Sequence, residues 1–200
     1  KIQDIMNGKE LVIASFGKGT ISYDPPAAMN TTLGTKFKIV TGYQGGAAQR
    51  LAVRNGEVQG FCTSLEPMTA SARELLEGDN PITRIIVVTG SKTPDHPFAR
   101  GVPTAETLAK TEEAKKLLRA IHLGFTMTIP FATAPEVPKD RVQALRAAFE
   151  KTFKDPEFLA LAEKAQQTIR PKFGEEVARV AEEMLNLPPA LANQLKVILQ

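Results

Sequence analysis

Two short stretches carry residue types suited to holding an anion: Ser15-Phe16-Gly17-Lys18-Gly19-Thr20 and Tyr43-Gln44-Gly45-Gly46-Ala47-Ala48. In both, glycines that let a ligand approach the backbone closely stand beside hydroxyl or amide side chains. Where a helix begins directly after such a turn, its first amides are unpaired and its dipole end is positive. That favours a carboxylate or phosphate by about 0.3–1 kcal/mol per charge. A tight strand-to-helix turn without a ligand uses the same residues, so an isolated Gly-Gly pair leaves both readings open. Two such turns at neighbouring strand ends shift the balance toward a ligand, and Thr63-Ser64, after a third strand-like run, would face the same crevice.

Other chemistry is poorly represented. Lys18 suggests a phosphate loop, but the spacing of two glycines flanking four residues before Lys-Ser/Thr is absent, so a nucleotide site is the weaker reading. Asp24-Pro25-Pro26 lets a helix start at Asp24, with proline in its first turn, instead of at Thr20, and a carboxylate there would oppose a bound anion. Cys62, at a strand end with no histidine nearby in sequence, reads as a small buried residue and not as a nucleophile. His96 lies in a proline-rich stretch and His122 at the end of a helical pattern, neither with metal-ligand spacing. The pairs Glu112-Glu113, Glu175-Glu176 and Glu182-Glu183 fall on helical segments as solvated charges. No catalytic residue, metal or cofactor is expected.

The elements that must position these loops form an α/β pattern. Strand-like runs at Glu10 to Ser15, Lys36 to Thr41, Glu57 to Cys62 and Thr83 to Thr89 alternate with helical ones, as in a parallel sheet flanked by helices. Ala47 to Asn55 reads as a helix stopped by Gly56, and Met68 to Glu77 as another stopped by Gly78. Gly90 to Pro103, broken by prolines, reads as a connector. A helix capped by Thr111 runs through Leu117, Leu118 and Ile121, and Phe125 to Phe131 is a strand candidate. The remainder is helical. Val142, Leu145, Phe149 and Phe153 share one face, Phe158, Leu159 and Ala162 another, and Val177, Val180, Ala181 and Met184 a third.

An apolar fraction of 42% suits a folded globular chain, and a net charge of +3 with scattered cations excludes a basic nucleic-acid surface. Cys62 has no intrachain partner, no run approaches the roughly 20 apolar residues of a membrane span, and no signal-peptide core is present. Ile2, Ile5 and Met6 at helical spacing before Gly8 give the expectation that the chain begins inside a structural element, with upstream sequence removed.

Ala14 to Thr20, Tyr43 to Ala48, Asn55-Gly56-Glu57-Val58-Gln59-Gly60 and Arg84 to Gly90, in that order, resemble the Bug, or TctC-like, family. Its members are periplasmic solute-binding receptors of tripartite tricarboxylate transporters. The likeness continues through Gly101-Val102-Pro103-Thr104-Ala105-Glu106, Ala132-Thr133-Ala134-Pro135-Glu136-Val137-Pro138 and Lys154-Asp155-Pro156-Glu157-Phe158. Each motif alone is weak, and the ordered set is what is specific.

The resemblance implies a periplasmic-binding-protein-like fold of two lobes, with residues 1–123 as the second lobe and 124–200 completing the first. The opening strands of the first lobe, with their own glycine-rich loop, would be missing. It implies that Ser15, Gly17, Gly19 and Thr20, together with Tyr43, Gln44, Gly45 and Gly46, contact a small organic acid in an interlobe cleft. It further implies a periplasmic monomer, not an enzyme, that hands its ligand to the membrane subunits of a transporter and needs no cofactor. Three departures stand out: Gln44 replaces a common Lys, Pro25-Pro26 disturb the helix after the first loop, and Glu112 to Arg119 lengthen a segment often shorter. The competing readings are a Rossmann-like nucleotide- or phosphate-binding enzyme and a receptor-fold sensing protein. A side chain at Gly45 is expected to crowd the loop and abolish binding.

Overall fold

A computed structural model describes residues 1–127, 130–165 and 169–199. The first two apolar runs form strands β1 (Leu11–Ala14) and β2 (Phe37–Val40), slightly shorter than expected, and a third strand, β3, is reduced to Gly60–Phe61. All three are parallel, in the order β2-β1-β3, with Ile13 opposite both Ile39 and Gly60. β3 is short for a local reason. Gln59 N donates to Val12 O at 2.8 Å while the Gln59 side chain, through Oε1, accepts from Val12 N at 2.9 Å, so a side chain stands in for the next rung of the ladder.

The chain divides into two compact units, Lys1–Thr126 with Leu187–Gln200, and Met127–Asn186. The last helix groups with the sheet-bearing unit and not with the helices that precede it.

In the first unit, α1 (Ile2–Met6) leads to β1, and α2 (Asp24–Leu33) crosses from β1 to β2. α2 ends at Gly34, whose φ of +69° is the left-handed stop that favours glycine. α3 (Gly46–Arg54) crosses from β2 to β3, buries Gln49, Ala52 and Val53, and is followed by Gly56 in the same conformation. The expected helix over Met68 to Glu77 is displaced: α4 spans Leu65–Ser71 and a separate 3₁₀ turn follows at Arg73–Leu75. Ala72, at φ −146°, breaks the two apart. Together they bury Met68, Ala72, Leu75 and Leu76 against Phe61, Ile85 and Phe98.

The expected fourth strand does not form. Thr83 N instead donates to Leu75 O, and Val88 makes an isolated parallel bridge with Thr104, with Ala105 N donating to Val88 O at 2.8 Å. A buried β-branched run marks an extended segment, and here its partners are a turn and a loop instead of the sheet. Beyond the connector lie α5 (Ala105–Leu108) and α6 (Glu112–Thr126), the latter capped by Thr111 Oγ1, which accepts from Ala114 N at 3.1 Å. α6 carries Phe125 and Thr126, so the strand expected over Phe125 to Phe131 is replaced by helix at its start, and residues 128–129 lie outside the described residues. His122 packs its ring on Gly90 and pairs Nδ1 with Thr89 Oγ1 at 3.1 Å, a packing histidine on α6. The main core joins Ala28 and Met29 of α2 to Leu118 and Ile121 of α6, with Leu195, Ile198 and Leu199 of the last helix against them.

The second unit contains α7 (Lys139–Thr152), α8 (Pro156–Lys164) and α9 (Gly174–Leu185); the last helix of the chain, α10 (Pro189–Leu199), belongs to the first unit. Phe131, Phe149, Phe153 and Phe158 stack in series, with successive centroids 4.7–5.5 Å apart. Asp155 caps α8 by accepting from Phe158 N at 2.9 Å. Val177, Val180, Ala181 and Met184 form the expected half-buried stripe, whereas Leu145 and Leu159 are exposed. No helix among the described residues is long and apolar enough to cross a membrane.

Candidate functional site

Parallel strands deliver the loops that follow them to one edge of the sheet. With the order β2-β1-β3, residues 41–45 follow β2 on one flank, 15–23 follow the central β1, and 62–64 follow β3 on the other flank. The first two loops are tied directly, since Tyr43 N donates to Ser15 O at 3.2 Å and Ser15 N to Val40 O at 2.7 Å. Thr63 and Ser64 are half-buried at the entry to α4, with Ser64 as its cap residue.

The central loop is filled by the chain's own groups. Ser15 and Ser22 are buried and share a hydrogen bond at 3.1 Å. Phe16 N donates to Ser22 Oγ at 2.9 Å and Gly17 N to Ser15 Oγ at 3.2 Å. Thr20 Oγ1 donates to Gly17 O at 2.5 Å and lies 3.0 Å from Ser22 Oγ. The helix does start at Asp24, and the Asp24 carboxylate turns back to accept from Gly19 N at 2.9 Å. Asp24 is 5% exposed, and burial raises its pKa above the ordinary aspartate value, partly offset by the Gly19 amide. An internal carboxylate therefore occupies one of the amides that an incoming anion would need.

The flanking loop is differently provided. Gly45 precedes α3 at φ +87°, ψ 167°, a region essentially confined to glycine. A Cβ there would meet no atom within 4 Å, so the constraint at Gly45 is dihedral and not the crowding expected from sequence. A Cβ at Gly46 would lie 3.1 Å from Arg50 Nη1, so the Arg50 guanidinium folds over the first turn of α3. Among the described residues no hydrogen bond or ion pair engages the Arg50 guanidinium. Its charge adds to the positive helix end. Gln44 is exposed and its Nε2 donates to Gly42 O at 3.4 Å. Tyr43 packs against the Ala14, Ala52, Val53 and Val58 cluster, and its hydroxyl donates to Glu57 Oε1, which raises the Tyr43 pKa.

Below both loops lies Gln49, fully buried. Its Nε2 donates to Ala14 O at 3.1 Å, at the carboxyl end of β1, and Oε1 has no hydrogen-bond partner among the described residues. Arg50, Gln49 and Ser22 were not anticipated as site residues. The first two carry a signal in retrospect: Arg50 is one turn beyond Gly46, and Gln49 shares a helix face with Ala52 and Val53, a polar residue on a buried stripe. Ser22 carries none.

Neither the cysteine nor the histidines add chemistry. Burial pushes the Cys62 thiol up to about 12, away from nucleophilic use. His96 accepts from Phe98 N through Nδ1 at 3.3 Å and stacks on the Phe98 ring, closing its own turn. Among the described residues no group of three or more His, Cys, Asp or Glu is arranged to hold a metal ion.

No protein-family model and no curated protein matches the sequence. The structure is similar to a crystal structure of a TctC solute binding protein from Polaromonas, solved without ligand, with a TM-score of 0.55 and 16% sequence identity over 96% of this chain. This chain spans 60% of that protein's length. The likeness establishes a shared α/β fold, with the parallel sheet flanked by helices.

Proposed function

We propose that this chain is part of a periplasmic solute-binding protein that captures a small organic acid and delivers it to the membrane subunits of a tripartite tricarboxylate-type transporter. The observation that carries this reading is the start of α3, where Gly45 and Gly46 open the backbone at the carboxyl edge of the sheet beneath an Arg50 guanidinium that has no hydrogen-bond or ion-pair partner among the described residues. An anion there gains the unpaired amides of the first turn, the helix dipole and a charge-assisted contact. The fold shared with a TctC solute binding protein supports the same reading. In it, the sheet-bearing unit acts as the second lobe, the helices after it contribute to the first, and the protein works as a monomer without covalent chemistry.

A phosphate-gripping first loop is less well supported, because Gly19 N is already engaged by Asp24, Phe16 N by Ser22 and Gly17 N by Ser15. Thermal unfolding of the intact protein with mono-, di- and tricarboxylates, ATP and a nicotinamide cofactor tests the choice. A ligand at about 100 times its Kd adds roughly 2.7 kcal/mol of stability. For a chain of this length that raises Tm by about 5–10 °C. Stabilisation by an acid supports the reading. Stabilisation by ATP or the cofactor alone, or by none of the set, refutes it.

A further inference from the structure

Asn55-Gly56 closes α3, and its geometry gives the dipeptide a chemistry beyond capping. Asn55 ends the helix at φ −79°, ψ −4°, and Gly56 follows at φ +72°. Gly56 N donates to Val53 O at 3.1 Å and Glu57 N to Ala52 O at 2.9 Å, the paired bonds of a Schellman stop. Asn55 is exposed, no hydrogen bond among the described residues holds its side-chain amide, and a Cβ at Gly56 would meet nothing within 4 Å. A carboxamide in water thus precedes a backbone nitrogen that no side chain shields. We propose that Asn55 is a site of spontaneous deamidation and isomerisation, and that its isoaspartyl product releases Tyr43 from Glu57.

The reaction needs only water. Gly56 N gives up its proton and attacks Asn55 Cγ; the new N–Cγ bond forms, the Cγ–Nδ2 bond breaks, and the nitrogen leaves as ammonia carrying that proton. Water then opens the cyclic imide at either carbonyl, giving aspartate or isoaspartate. The other asparagines lack a requirement. Asn30 is tied through both amide atoms to Phe37, Asn80 precedes Pro81, which has no N–H, and Asn186 and Asn193 precede the bulkier Leu187 and Gln194. Asn7-Gly8 ends α1 in the same way, with Lys9 N on Asp4 O at 3.0 Å and Gly8 N on Ile5 O at 3.4 Å, and serves as an internal standard. At ψ −4° the Gly56 nitrogen is turned away from Cγ, so the stop must open before the ring can close. Isoaspartate routes the main chain through Cβ and Cγ, inserting a carbon between the helix and Gly56. Glu57 N then loses its place on Ala52 O, and Glu57 is the residue that accepts from the Tyr43 hydroxyl. The change at the far end of α3 therefore reaches the loop that precedes it.

Incubation of the intact protein at pH 8, followed by tryptic peptide mapping, tests the site. The peptide Asn55–Arg73 should acquire aspartyl and isoaspartyl forms, with the two bonds of the stop slowing conversion about 10- to 100-fold relative to the urea-denatured chain. The Asn30 peptide should stay unchanged over the same interval. The release of Tyr43 is read by fluorescence, because the chain has no tryptophan and Tyr23→Phe leaves Tyr43 as its one tyrosine. A carboxylate acceptor quenches phenol emission, so the purified isoaspartyl form should brighten to the level of Glu57→Ala, while Asn55→Asp, which adds the charge without the extra carbon, should stay quenched. An Asn55 peptide that remains an amide after the Asn7 peptide has converted would overturn the proposal. So would an isoaspartyl form whose emission equals that of the unmodified protein.

Discussion

Gln49→Glu is a one-atom change whose consequence follows from the geometry. Gln49 is fully buried, donates through Nε2 to Ala14 O at 3.1 Å and leaves Oε1 without a partner among the described residues. An ionised glutamate would place a carboxylate against a carbonyl with no donor at hand. The group avoids most of that penalty by taking up a proton, and the protonated acid is nearly isosteric with glutamine, its hydroxyl donating to Ala14 O. The destabilisation at pH 7 is therefore capped near 1.36 kcal/mol times the distance from the ordinary glutamate pKa of about 4.3, or about 3.7 kcal/mol. That corresponds to a fall in Tm of about 7–15 °C. The sign is fixed: the folded-state pKa is raised, so stability is fully present below the unfolded value and is lost as pH rises through the folded one. Urea titrations of wild type and Q49E between pH 4 and 8 should show a gap that widens by about 1.4 kcal/mol per pH unit until the group ionises in the fold. Gln49→Met serves as the uncharged control, losing about 1–3 kcal/mol with no pH dependence. A Q49E gap under about 1 kcal/mol at pH 7, or one that stays constant down to pH 4, would show that the site holds a donor or is solvated and would refute the argument.

Three further outcomes are expected. Gly45→Val forces a β-branched residue to φ +87°, at a cost of order 1–3 kcal/mol, and should abolish carboxylate binding while the protein stays soluble; calorimetry that finds binding unchanged would remove Gly45 from the site. Asp24 has its carboxyl raised by burial, so its contribution to stability is present below the ordinary aspartate value and lost as pH rises through the folded one; Asp24→Asn should be the more stable protein at pH 7 and lose that advantage toward pH 3, read by urea denaturation across pH. Cys62, its thiol pushed up to about 12, should resist alkylation at pH 8 in the folded protein and react at the rate of a free thiol in denaturant, with mass spectrometry as the readout.

What could be read in the sequence follows from how local each signal is. β1, β2 and α3 were legible because apolar runs, the following glycines and the 3.6-residue pattern of Gln49, Ala52 and Val53 act within a few residues. Thr83 to Thr89 misled because a β-branched run reports burial and extension, while membership of a sheet depends on a partner elsewhere, here Pro103 to Ala105. α4 was displaced because Ala72 breaks the helix at a residue with high helix propensity, a decision made by packing around Leu75. The site loops were visible as glycine turns. Their occupancy was not, since the Ser22 and Asp24 bonds to loop amides are set by how the loop closes. Only Asp24-Pro25-Pro26 hinted at it, through the start of α2.

Helix α10 packs on α2 and α6 although the whole second unit intervenes in the chain. During synthesis at roughly 5–20 residues per second, the faces of α2 and α6 that α10 covers wait on the order of several seconds for their partner. Leu195, Ile198 and Leu199 arrive after the residues they cover and act as a clasp, so closure of this core waits on the synthesis of α10 and not on that of the sheet. The nascent protein thus carries a built-in interval in which Met29, Leu118 and Ile121 are less protected, and in which a holding chaperone would find its target.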